Sequence, residues 1–269
     1  MNEEAQRRIE LAATLGLDPR IFSTAGSGRS RWTKFELDAY LHAPLAWSGL
    51  EPTHRTGRRG GHRSPGRRHE ASPPLRTGEA GRRPRDRKIS PKQGLPALGA
   101  AGKFLLSPEQ AESERLESLD QTNLLHTGAE EPFDRIVSAT RKFFNVGAAS
   151  LSLIDGDAQH FKSVVGPLRD ETPRQIALCT QTVERNSMLI INDALTDDRF
   201  ASNPLVTGTP HIRFYAGYPL HGPRGWNIGT LCIIDQKPRD FPQSEQQVLR
   251  ILAALAQRGI DERTYSPAR

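Results

Sequence analysis

The side chains here that could do chemistry by type and spacing form three groups. Cys179 and Cys232 are the only two cysteines. The run INDALTDDRF gathers Asp193, Asp198, Arg199 and Phe200. The run IRFYAGYPL, residues 212–220, sets Arg213 and Tyr215 beside Gly217. A reactive thiol needs its pKa lowered by a helix N-terminus or a nearby cation. Cys179 falls mid-helix in the predicted helix TPRQIALCTQTVERN, which points to a buried, inert thiol. Arg199 beside a helix start could hold an anion. Equally, Asp193 could cap the following turn while Asp193 or Asp198 pairs with Arg199 and locks the loop.

IRFYAGYPL reads as a half-buried strand, whose side chains alternate between two faces. Ile212, Phe214, Ala216, Tyr218 and Leu220 then form a core face. Arg213, Tyr215 and Gly217 lie on the other, as a pocket wall or a helix contact, with Gly217 admitting a neighbouring backbone. Both readings of that second face stand.

Other chemistries find no support. There is no P-loop, HExxH or GxSxG, and His126, His160, His211 and His221 lack metal-ligand spacing. Two cysteines make neither a disulfide framework nor a four-cysteine zinc site. No catalytic residue and no metal site are expected, and no cofactor can be named. No run approaches the roughly 20 apolar residues of a membrane span. A cytoplasmic chain without a membrane partner is the expectation.

The net charge of +6 suggests a nucleic-acid binder until the charges are located. Residues 52–90 hold twelve Arg and Lys against three acids, a net of +9, so the remaining residues sum to about −3. That Arg/Gly/Pro-rich run has too little apolar surface to offset the entropy of ordering. It reads as a disordered linker, or as a phosphate-binding arm acting through counterion release. Without interleaved aromatics it lacks the stacking half of a single-strand binder. Nucleic acid is therefore an expected partner only through this segment. Residues 1–50 carry two short helices, around Glu3 to Leu15 and Lys34 to Leu45, as a loosely docked or isolated appendage.

From Lys103 the texture becomes dense and periodic. Ser107, Pro108 and Gln110 make a helix start with a capping box. EPFDRIVSATRKFF follows, with Phe133, Ile136, Val137, Thr140 and Phe144 on one stripe. AASLSLID and HFKSVVG form a hairpin. Thr172, Pro173 and Gln175 read as the next capping box, placing Ile176, Cys179, Thr180 and Val183 on one helix face. MLIIND is a short strand, ALTDDRFASN a helical turn, HIRFYAGYPLH and NIGTLCIID a second hairpin. A last helix carries Val248, Ile251, Leu252 and Leu255. The order predicts an α+β fold with a mainly antiparallel sheet.

Taken in order, FDRIV, SLIDGDAQHFKS, ETPRQIALC, INDALTDDRFASNPLV, IRFYAGYPL, GTLCIID and PRDF resemble the GAF domain of bacterial sensor histidine kinases and diguanylate cyclases, from about Leu105 to Leu255. The resemblance implies a six-stranded antiparallel sheet with helices on both faces and a cavity between sheet and helices. It implies a non-catalytic sensory module in signal transduction that binds a small ligand or serves as a dimerising connector. The ligand-binding candidates are then Cys179, Asp193, Arg199, Phe200, Arg213 and Tyr215. A homodimer through Leu116, Leu119, Leu252 and Leu255 and a separate effector protein are the implied partners. Two departures count: Cys179 is followed by Thr180 where bilin-binding members carry histidine, and the Asn-Lys-Phe-Asp-Glu pattern of cyclic-nucleotide binders is missing. The alternative is a thiol-dependent methionine-sulfoxide reductase on the same fold. The expected division is 1–50 helical segment, 51–102 disordered linker, 103–262 sensory domain and 263–269 tail, with no room after Leu255 for a catalytic domain.

Overall fold

The computed structural model describes residues 3–22, 96–168 and 171–265. The helix expected around Lys34 to Leu45, the Arg-rich run and residues 266–269 lie outside them.

Six strands form one sheet: β1 (Ala148–Ile154), β2 (Ala158–Val165), β3 (Glu171–Pro173), β4 (Leu189–Ile191), β5 (Phe214–His221) and β6 (Asn227–Asp235). Their order is β3-β2-β1-β6-β5-β4, and every neighbouring pair is antiparallel. The helices are α1 (Glu3–Leu15), α2 (Pro108–Asp120), α3 (Glu131–Phe144), α4 (Leu178–Arg185), α5 (Pro204–Thr207) and α6 (Gln243–Tyr265). Helices α3 and α6 cover one face of the sheet and α4 covers the other.

The main core lies under α3 and α6. It joins Phe133, Val137 and Phe144 of α3 and Val248, Ile251 and Leu252 of α6 to Leu151, Phe214 and Leu231 of the sheet. The amphipathic stripes read from sequence supply these contacts, because apolar residues at helical spacing share one face. Helix α1 joins the same core through Leu11, Ala12 and Leu15, with Ile21 and Phe22 behind it. Its Arg8 is buried and donates to the carbonyl of Phe22 and to Glu4.

The capping box of α2 forms as read: Gln110 N–H donates to Ser107 Oγ at 3.2 Å, and Ser107 N–H donates to Gln110 Oε1 at 2.9 Å. The second box does not form. Thr172 and Pro173 belong to β3, where Thr172 pairs with Gln159 and Pro173 with Ala158. Proline is tolerated there because β3 is an edge strand and needs no outward N–H. Helix α4 starts five residues later, at Leu178, with Ala177 before it giving no side-chain cap. The helical turn expected over ALTDDRFASN is likewise displaced: those residues form turns, and α5 begins at Pro204 behind Asn203, whose Oδ1 accepts Leu205 N–H at 2.8 Å.

Strand β5 is buried on both faces. Phe214, Ala216 and Leu220 enter the main core as expected, with Tyr218 packed partly against it. Ile212 does not join them. The chain bends before the strand, Ile212 N–H donating to Leu205 O at 2.8 Å and Arg213 N–H to Asp235 O at 2.9 Å. Ile212 thereby enters a second core beneath α4, together with Tyr215, Cys179 and Cys232.

Candidate functional site

The second core differs from the first in carrying a layer of small polar groups. Ser150, Ser152, Thr182 and Thr230 are fully buried there beside the two cysteines. Strand registry explains the grouping: Ser150 on β1 stands opposite Cys232 on β6, and Ser152 opposite Thr230. Alternate residues share a face, so the four line up under α4.

The sulfurs of Cys179 and Cys232 are 3.7 Å apart. Ser150 Oγ lies 3.2 Å from Cys232 Sγ and 3.0 Å from Ser152 Oγ, and the Cys179 thiol reaches Ser152 Oγ at 3.8 Å. Because α4 starts at Leu178, Cys179 occupies its first turn and not its middle, correcting the position read from sequence. Hydrogen bonding from Cys232 opposes the upward push of burial and, with Thr230, Tyr215 and Ser152, holds the Cys179 thiol down to about 7. The same hydrogen bond and burial push Cys232 well above its usual range. Tyr215 is pushed up by burial and by the neighbouring thiols, and its hydroxyl lies 2.8 Å from Thr182 Oγ1 on α4.

A small cavity of about 50 Å³ opens beside this layer. Tyr215, Ile234, Gln159 and Phe161 of the sheet form its floor, and Leu178 and Cys179 of α4 line it from the helix. The β4–β5 connection adds Leu205, Pro210 and Ile212 to its lining, and Leu168 and Thr172 complete it. Its small size admits a few heavy atoms and excludes a nucleotide in this conformation.

Of the six residues singled out in the sequence, Cys179 and Tyr215 line this cavity. Phe200 packs in the same core behind it. Asp193, Arg199 and Arg213 stand outside the cavity, Asp193 and Arg213 tied to each other across the connection and Arg199 within its own turn. Arg213 Nε and Nη2 donate to the two carboxylate oxygens of Asp193, each at 2.6 Å, and Leu195 N–H donates to Asp193 Oδ1 at 3.1 Å. Arg199 pairs with Asp197 at 2.6 Å, neither with Asp193 nor with Asp198, since Asp197 also accepts the Arg199 N–H and closes a local turn. The Arg213 hydrogen bonds hold Asp193 below the usual carboxylate range, as those of Arg199 hold Asp197.

Sequence reading missed Thr182, Ser150, Ser152 and Thr230. The alternation of SLSLI in β1 was the available signal, since small hydroxyls at period two across from a buried cysteine mark a polar face. Among the described residues no three His, Cys, Asp or Glu side chains converge on a metal position. No described helix is long and apolar enough to cross a membrane.

Comparison with known proteins matches residues 129–260 to the GAF domain family. Over 137 residues, 51% of this chain, the sequence is 39% identical to the cyclic di-GMP phosphodiesterase PA2567 of Pseudomonas aeruginosa. The chain spans only 23% of that relative's length. Among solved structures, the GAF domain of an Acinetobacter phosphoenolpyruvate-protein phosphotransferase is 17% identical, covering 61% of this chain and 100% of its own, with a TM-score of 0.42. The free methionine-R-sulfoxide reductase of Neisseria meningitidis is 14% identical, covering 57% of this chain and 92% of its own, with a TM-score of 0.40. The phosphodiesterase match corrects the expectation of a non-catalytic chain that is no enzyme: half of the sequence is 39% identical to part of one.

Proposed function

Residues 129–260 of this chain are a GAF domain, and from that premise we propose that the protein is a regulatory module of cyclic di-GMP turnover. The carrying observation is the 39% identity over 137 residues with a cyclic di-GMP phosphodiesterase. The signal enters as a small molecule in the cavity between the sheet and α4, where Cys179 and Tyr215 contact it. Phe200 backs the site, the Asp193–Arg213 pair pins the start of its wall, and Arg199 closes a local turn with Asp197 beside it. Few polar groups converging in a mostly apolar recess is the usual build of a small-molecule site.

The signal leaves through the helices at the two ends of the domain, α2 and α6, as a contact with a second copy or an effector. Leu119 and Leu252 are taken up in the core of the subunit, which leaves the half-buried Leu116 and Leu255 for that contact. Sedimentation at tens of micromolar separates the arrangements, a monomer excluding the self-contact.

Expression of the full chain in a bacterium carrying a fluorescent cyclic di-GMP reporter tests the function. The reporter level should shift with the parent chain and shift less with Tyr215→Phe. No shift, together with a purified chain that neither consumes cyclic di-GMP nor changes the rate of a cyclic di-GMP phosphodiesterase, overturns the reading.

A further inference from the structure

We propose that Cys179 and Cys232 are a dithiol pair that a hydroperoxide, admitted through the small cavity, converts to a disulfide. This needs only the two sulfurs and the cavity, so it stands independently of the cyclic di-GMP reading.

The geometry carries it. At 3.7 Å the sulfurs are in van der Waals contact. A disulfide at about 2.05 Å asks them to approach by only ~1.6 Å. Cys179 lines the cavity and Cys232 lies behind it, 0% exposed. The two therefore have different roles: Cys179 meets the oxidant and Cys232 resolves the product. A cavity of about 50 Å³ takes a molecule of two oxygen atoms and excludes a glutathione-sized disulfide, which selects the class of oxidant. The lowered pKa of Cys179 gives the partner that lines the cavity, itself buried, the thiolate that the chemistry requires.

The steps balance. Cys179 thiolate attacks one oxygen of hydrogen peroxide, the O–O bond breaks, and the leaving hydroxide departs as water with the thiol's proton. Cys179 is now a sulfenic acid. Cys232 sulfur attacks Cys179 sulfur, the S–O bond breaks, and a second water leaves carrying the Cys232 proton. In sum two thiols and one peroxide give one disulfide and two waters, the sulfurs losing two electrons and the peroxide gaining them.

The consequence reaches the rest of the site. Cys232 is held in the sheet between Ser150 of β1 and Gly217 of β5, so the approach falls on the first turn of α4. Helix α4 also carries Thr182, the partner of Tyr215, and a bond at Cys179 therefore resets the floor of the cavity.

The test treats the whole 269-residue chain with hydrogen peroxide, denatures it in iodoacetamide and measures intact mass. Both thiols should be protected together, with the unalkylated mass falling by ~2 Da as two hydrogens leave and dithiothreitol restoring it. Cys232→Ser should stop at a sulfenic acid on Cys179 that dimedone traps, and Cys179→Ser should leave Cys232 unoxidised. Two fully alkylatable thiols after peroxide overturn the proposal. So does accumulation of Cys179 sulfinic acid without disulfide in the parent protein, a readout that stands even where a serine variant fails to fold.

Discussion

Tyr215 lies along the sheet over Gly217. A Cβ built on Gly217 would stand 2.2 Å from Tyr215 Oη and 2.7 Å from its Cζ. The ring thus fills the space that any side chain at 217 would claim. Held there, its hydroxyl meets Thr182 across the gap between sheet and α4. Glycine in this strand is the seat of the tyrosine, and the tyrosine is the strut under the helix.

Gly217→Ala should therefore destabilise by about 1–3 kcal/mol, the usual cost of overpacking. Tyr215→Phe should cost about 1–3 kcal/mol by orphaning the buried Thr182 hydroxyl. The double variant should lose less than the sum, because removing the hydroxyl relieves the shortest clash. Urea unfolding of the four proteins reads this directly; strict additivity would count against the contact.

Lys162 is fully buried and donates to Thr127 Oγ1 at 2.6 Å, Gly128 O at 2.7 Å and Glu130 Oε1 at 2.6 Å. Arg263 near the end of α6 also binds Glu130, at 2.6 Å. Glu130→Ala leaves the ammonium without its counter-charge and should cost about 3 kcal/mol, the low end for a broken buried pair. Lys162→Met should cost less, since Glu130 keeps Arg263 and no charge is stranded. The order of the two denaturation midpoints is the measurement.

Burial pushes the Glu112 carboxyl up, but hydrogen bonds from Arg115 and Arg174 outweigh it and hold the group at about 2 against an ordinary 4.5. A depressed carboxylate contributes stability that is complete above its unfolded pKa and lost as pH falls through the folded one. The contribution should thus be whole above pH 4.5 and fade toward pH 2. Glu112→Gln should be less stable than the parent at pH 6, with the gap narrowing at pH 3. An equal gap at both pH values would contradict the assignment.

Arg213 and Arg199 should behave differently although both pair with aspartate. Arg213 reaches back across 20 residues to Asp193 and pins the start of the β4–β5 connection, whereas Arg199 pairs within its own turn, two residues from Asp197. Limited proteolysis of Arg213→Ala should cut the connection several-fold faster than in the parent, while Arg199→Ala stays close to it, as exposed local pairs contribute little.

Local rules in the sequence determined much of this protein. The Ser107–Gln110 box, the apolar stripe of α3 and the two hairpins depend on interactions within a few residues, and they stand where the pattern put them. The resemblance to a sensory domain rested on the order of such segments. Tertiary structure decided what local pattern left ambiguous. Thr172-Pro173 suits a helix start and an edge strand equally, and pairing with Ala158 and Gln159 selected the strand. That choice moved the start of α4 and brought Cys179 to its first turn. The partner of Asp193, the turning of Ile212 into the second core and the 3.7 Å approach of two cysteines 53 residues apart likewise depend on which strands neighbour which. Contacts of that range are set by the closing of the sheet, a property of the whole fold that no short window of residues contains.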